Sequence, residues 1–177
     1  MKEVITVRDY YLLTEDRRIS RKVQPTGLPL EEGIEALLPV TVLEVRSEGS
    51  LTYPDWLDRP LYMLSDRMKS ITAKYNLGIR WKRVDLIDRQ QNDRNVYWIM
   101  QVPPVDALSV GSEFHQNGAL KRMVLDYEKV KRHHFFSVQG ILEPYIVVSL
   151  DAAESFLRRG LTGFVLQKVE IESGRQT

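Results

Sequence analysis

The sequence predicts an α+β domain: a mainly antiparallel sheet carrying two principal helices, near residues 66–75 and 150–159. Three observations lead there. The stretch Ile141–Ile171 reads as strand, capped helix, glycine stop and strand in one short unit. Segments with strand character outnumber helical ones. The helical segments are also few and far apart, unlike the regular alternation of a βαβ fold.

The elements follow in chain order. Glu3–Leu13 begins as a strand, with Val4, Thr6 and Arg8 alternating with Ile5, Val7 and Asp9. The charged run Glu15–Lys22, EDRRISRK, reads as a solvated turn or as an anion-binding patch. Pro25, Gly27 and Pro29 mark an irregular connection. Leu37–Val45 is a second strand, with Pro39 near its start, where a missing N–H is tolerated. Ser65 is an N-cap for an amphipathic helix on which Met68, Ile71, Thr72 and Tyr75 recur at helical spacing. Ile79–Ile87 and Val96–Val102 are strands joined by the polar turn Gln90–Asn95. Both faces of the second are mostly apolar, which suggests a central strand; Trp81 on the first and Trp98 on the second are expected to fill the core.

Val110–Gly118 reads as a loop, and Met123–Tyr127 and Phe135–Gln139 as short strands around the charged turn Glu128–Arg132. Ile146–Val148 is a β-branched run suited to a buried strand. Ser149 caps the second helix, whose apolar stripe is Leu150, Ala153 and Leu157 with Phe156 beside it. Arg158 and Arg159 suit the negative helix end, and Gly160 suits a left-handed C-cap. Phe164–Ile171 alternates as a final strand.

Composition narrows the function classes. The chain has 177 residues, enough to bury a core without a disulfide or a structural metal. It has no cysteine, which removes thiol nucleophiles, thiolate metal sites and disulfides. A net charge of +1 offers no global field for nucleic acid or an anionic membrane. The N-terminus lacks the order of regions of a signal peptide, and no apolar run approaches the roughly 20 residues that span a bilayer. A cytoplasmic protein is the expectation.

Catalytic signatures are missing from the sequence. The histidines are His115, His133 and His134, and none sits in a zinc-binding spacing. There is no GxSxG, P-loop or GxGxxG motif, and Gly160 and Gly163 follow a helix where a phosphate loop must precede one. The acidic residues Asp55, Asp58, Asp85, Asp88, Asp93, Asp106 and Glu113 read mainly as turn residues or partners of arginines. The basic cluster before Phe135 and Phe136 is interrupted by acids and reads as a solvated hairpin. No cofactor or metal is expected.

Two blocks carry a resemblance. The first is Arg59–Leu108, with a proline-led apolar start, a helix, and a hairpin whose second strand is aromatic and ends at Pro103–Leu108. The second is Leu125–Val169, with the Phe135-Phe136 strand, the Ile-Val-Val-Ser run, the helix and Gly-Leu-Thr-Gly-Phe. Together they resemble a bacterial family of immunity proteins from polymorphic toxin systems, immunity family eleven, over roughly residues 55–172. The resemblance implies a non-enzymatic protein that binds a cognate toxin domain and protects the cell that makes it. It brings no catalytic or binding residues with it.

On this reading residues 55–172 form the main α+β domain and 173–177 a tail. Residues 1–54 form a β-rich segment packed on it or leading into it. The candidate partner anchors are Tyr53 and Trp56, flanked by Asp55 and Asp58. Trp56 alternatively packs its loop onto the core. Two other functional classes stand beside immunity. One is an adaptor of a phage-like or secretion assembly. The other is a hydrolase that would need Asp85, Asp88, Asp106, His115 and His134 to converge.

Overall fold

The computed structural model describes residues 7–28, 33–46 and 49–173. The first part of the expected N-terminal strand, and the tail beyond 173, lie outside them. The described residues form strands β1 (Tyr10–Glu15), β2 (Val40–Glu44), β3 (Trp56–Leu57) and β4 (Met63–Ser65), then helix α1 (Asp66–Thr72). Next come β5 (Arg80–Asp88), β6 (Asp93–Gln101), β7 (Pro104–Val105), β8 (Glu113–Phe114), β9 (Leu120–Arg122), β10 (Val124–Asp126) and helix α2 (Tyr127–Val130). The chain closes with β11 (Phe135–Val138), β12 (Ile146–Ser149), α3 (Leu150–Arg158), β13 (Phe164–Lys168) and β14 (Glu170–Glu172).

This is the α+β class with α1 and α3 as the main helices. One sheet has the order β2-β5-β6-β4-β3 and the other β13-β1-β12-β11-β7. Most pairings are antiparallel; β2–β5, β7–β11 and β10–β14 are parallel. Residues before 55 contribute to both sheets: β1 lies between β12 and β13, and β2 forms an edge beside β5.

The core between the sheets gathers Leu13, Trp56, Leu64, Met68, Phe135, Val148 and Phe156, all buried. It fits the local sequence because both helices are capped where expected. Ser65 Oγ accepts from Met68 N at 3.2 Å, and Ser149 Oγ accepts from Ala152 N at 3.3 Å. Gly160, at φ +62, stops α3, with its N–H donating to Leu157 O.

Several local expectations need correction. The buried face of α3 is Ala152, Ala153 and Phe156, whereas Leu157 is 59% exposed. The bulk of Phe156 sets the helix phase, with Glu154 and Arg158 paired in solvent. The turn after 127 is the short helix α2, because Asp126 accepts from Glu128 N and Tyr127 and Val130 are buried three residues apart. The closing strand divides at Val169 into β13 on β1 and β14 on β10. The loop before Gly118 contributes β8 to a small hairpin with β9. The β5–β6 pairing runs on through polar Asp93–Asn95, so the turn shortens to four residues. Trp81 and Trp98 are half-buried, with the Lys69 ammonium 5.8 and 4.4 Å from their ring centroids.

Candidate functional site

The expected anchor segment 53–58 is internal. Trp56 is 0% exposed, with its ring 5.2 Å from that of Tyr62. Asp55 is 7% exposed, and its carboxylate accepts from Ser65 Oγ at 2.5 Å and from Thr162 N at 2.9 Å. Around it Trp56 N donates to Thr162 O, Ser65 N donates to Asp55 O, and Tyr97 Oη donates to Pro54 O. This segment therefore ties the N-cap of α1 to the loop after α3. Trp56 and Asp55 cannot present side chains to a partner, which corrects their assignment as anchors. Tyr53 is half-buried against the core behind the first sheet. Its hydroxyl is raised by burial and by the charges of Asp88 and Asp93.

Asp58 faces a different neighbour, Glu15 at the end of β1. Burial raises the Asp58 carboxyl first, and the Glu15 charge and a hydrogen bond between the two carboxyls raise it further. Asp58 Oδ1 is buried without a hydrogen-bond partner among the described residues. Glu15 is also paired with Lys22. Burial, then the charge of Asp58, pushes the Tyr62 hydroxyl up to about 12. The four expected anchors thus do not form one exposed patch. The charged run had marked Glu15 and Lys22, but nothing local links them to Asp58.

The acids and histidines named for a hydrolase are not brought together. Asp85 binds Arg83 and Arg94, Asp106 binds Lys129, and His134 lies beside Ser149. Asp88 is buried at the end of β5, where it accepts from Gln90 N and Gln91 N. His115 is exposed beyond β8.

Ser149, His134 and Asp151 have the composition of a catalytic triad but not its geometry. Ser149 Oγ and Asp151 Oδ2 both approach the same ring nitrogen, Nδ1, at 2.9 and 3.6 Å. A relay needs one partner on each nitrogen. Ser149 is also fully buried and its hydroxyl caps α3. No group of three His, Asp or Glu residues among those described has metal-holding geometry.

The accessible surface with the richest recognition chemistry is the part of the first sheet's α1-bearing face that runs on past the helix, beginning at Trp98, whose Nε1 donates to Asp66 Oδ1 at 2.8 Å. Register places three rows across β2, β5 and β6: Val40, Arg83 and Trp98; Val42, Asp85 and Val96; Glu44, Ile87 and Arg94. Val40 and Val42 are 46% and 56% exposed, and Trp98, Val96 and Ile87 are half-buried. Asp85 sits under two guanidiniums. Burial alone would raise its carboxyl, but hydrogen bonds from Arg83 and Arg94 outweigh it and hold the group below its ordinary value. Asp85 therefore fixes two arginines on an aliphatic and aromatic surface. The signal in the sequence was the mostly apolar character of both faces of β6, which marked it as a central strand, and it lies between β5 and β4; that pattern does not tell which part of a face stays open.

A scan against protein-family models found no match, and a search of curated proteins found none either. No helix among the described residues is long and apolar enough to cross a membrane.

Proposed function

We propose that this protein is a non-enzymatic immunity protein that binds a cognate bacterial toxin domain and neutralises it by direct contact. The class comes from the resemblance of residues 59–108 and 125–169. Its support in the fold is that these blocks interlock: α1 and α3 share one core with Leu64, Met100, Phe135 and Val148.

The contact surface is carried by one observation, the open three-strand face centred on Asp85. Tryptophan and arginine dominate binding hot spots, and a guanidinium held in place loses less freedom on docking. A stable inhibitory interface buries about 800 Å² per partner, so these rows form its centre and the surrounding loops its rim.

Tagged protein purified from its producing cells, with mass spectrometry of what accompanies it, tests the reading. One stoichiometric partner carrying a toxin domain is expected. Trp98→Ala combined with Arg94→Ala should reduce its capture at least about tenfold, as expected for loss of a hot spot. Retention of the partner at full level would remove this face from the proposal, and absence of any partner would remove the immunity reading.

A further inference from the structure

We propose that the cleft beside the Glu15–Lys22 run binds a small phosphate-bearing ligand, a phosphate ester or a diphosphate, through Arg17, Arg21 and Arg59. This inference does not depend on the immunity reading.

The chain after β1 forms one wall of a cleft of about 870 Å³, and Arg59 and Pro60 contribute to the other. The first wall is pinned to the residue 52 strand segment. Thr52 N donates to Arg21 O at 2.9 Å, and Val23 N donates to Thr52 O at 3.0 Å. Arg21 itself is held at φ +50, a left-handed conformation uncommon for a side-chain-bearing residue.

The cleft is lined by four cations and one carboxylate. Lys22 and Glu15 satisfy each other, with side chains only 14% and 9% exposed. That leaves Arg17, Arg21 and Arg59 lining the cleft with no side-chain hydrogen bond or ion pair among the described residues; Arg17 and Arg59 also border the adjoining cleft, and the Arg59 charge favours the Asp58 carboxylate. Several arginines elsewhere are matched to carboxylates, among them Arg8 on Asp151, Arg83 and Arg94 on Asp85, and Arg122 on Glu170. Concentrating three like charges is unfavourable until an anion enters.

The ligand class follows from stoichiometry and shape. Each guanidinium presents a planar fork suited to two oxygens. A single carboxylate satisfies one fork, whereas a phosphate ester or diphosphate offers several peripheral oxygens and at least two charges. Ile19, Val23, Pro25 and Pro60 supply apolar wall for an organic body, and the volume lies within the range of small-molecule sites. A nucleic-acid track is disfavoured. The adjoining cleft of about 700 Å³ brings Asp16, Asp58 and Glu143 to its border, which breaks the run of positive charge.

Isothermal titration of the full chain with inorganic pyrophosphate at low salt tests the site. Saturable one-to-one binding is expected. Arg17→Ala with Arg59→Ala should weaken it at least about tenfold, from the loss of two charge-assisted contacts. These side chains make no hydrogen bond or ion pair among the described residues, and loss of the Arg59 charge beside Asp58 should cost little, so the double variant should still unfold cooperatively in urea. Arg18→Ala is the control, because Asp16 already holds Arg18 and pyrophosphate binding should be unchanged. The proposal is overturned by no saturable heat, by undiminished binding in the folded double variant, or by citrate binding as tightly as pyrophosphate.

Discussion

Gly163→Ala should be among the most damaging single-methyl changes available to this protein. Gly163 has φ +99, outside the left-handed well that other residues tolerate. An added Cβ would lie 2.6 Å from Trp56 O, 2.7 Å from Pro54 Cβ and 3.0 Å from Trp56 N. Neither a backbone oxygen nor a proline ring can rotate aside. The backbone conformation costs about 1–3 kcal/mol, and forced overpacking costs about 1–3 kcal/mol more. Weakening the Trp56 N to Thr162 O bond adds about 1 kcal/mol. Together these give about 3–7 kcal/mol. Gly160→Ala is the matched control. It too has positive φ, +62, but nothing lies within 4 Å of its added Cβ, so only about 1 kcal/mol of strain is expected. In urea, with a slope of about 2 kcal/mol per molar, the Gly163 variant should lose about 2 M of midpoint and the Gly160 variant about 0.5 M. Equal shifts for the two variants would refute the close approach of this loop to residues 54–56.

Three further outcomes follow. Asp55→Ala leaves Thr162 N and Ser65 Oγ without their acceptor and should cost about 3 kcal/mol in urea unfolding, with no change in partner capture if the carboxylate is purely structural. Trp56→Ala should cost about 3–5 kcal/mol as a core truncation; a change under 1 kcal/mol would return Trp56 to the surface. Asp58→Asn should raise stability at neutral pH. Asp58 is raised above its ordinary 3.8 by burial and then by Glu15, with Arg59 opposing, while Tyr62 lies beside it. A raised carboxyl favours the fold fully below its unfolded value and loses that advantage as pH rises through its folded value. The gain of the asparagine variant should therefore be largest at pH 7 and vanish near pH 3, as read by thermal melts across that range.

The helices were legible because their signals are local. Ser65 and Ser149 lie immediately before the turns they cap, and Gly160 lies two residues after the last helical residue of α3. The α+β class followed from the scarcity of such signals elsewhere. What escaped was set by distant pairing. Asp55 looked like a surface neighbour of Trp56 because its partner Thr162 is 107 residues away. Leu157 was placed on the buried stripe because spacing alone cannot choose between two adjacent faces; the packing of Phe156 against Phe135 and Phe164 does. The arginine cleft had one visible half, the EDRRISRK run, but the Arg59 half reaches it only once the two sheets pack. The open face of β5 and β6 was hidden by its own composition, since an exposed apolar binding surface and a buried strand present the same residues.

The most direct test of the central claim is capture of a partner by the wild-type protein and by the Trp98→Ala/Arg94→Ala variant, side by side from the same producing cells. The account predicts one stoichiometric protein with a toxin domain on the wild type and its loss from a variant that still unfolds cooperatively. Two results would contradict it: no specific partner on the wild type while such a toxin is expressed, or equal capture by both proteins.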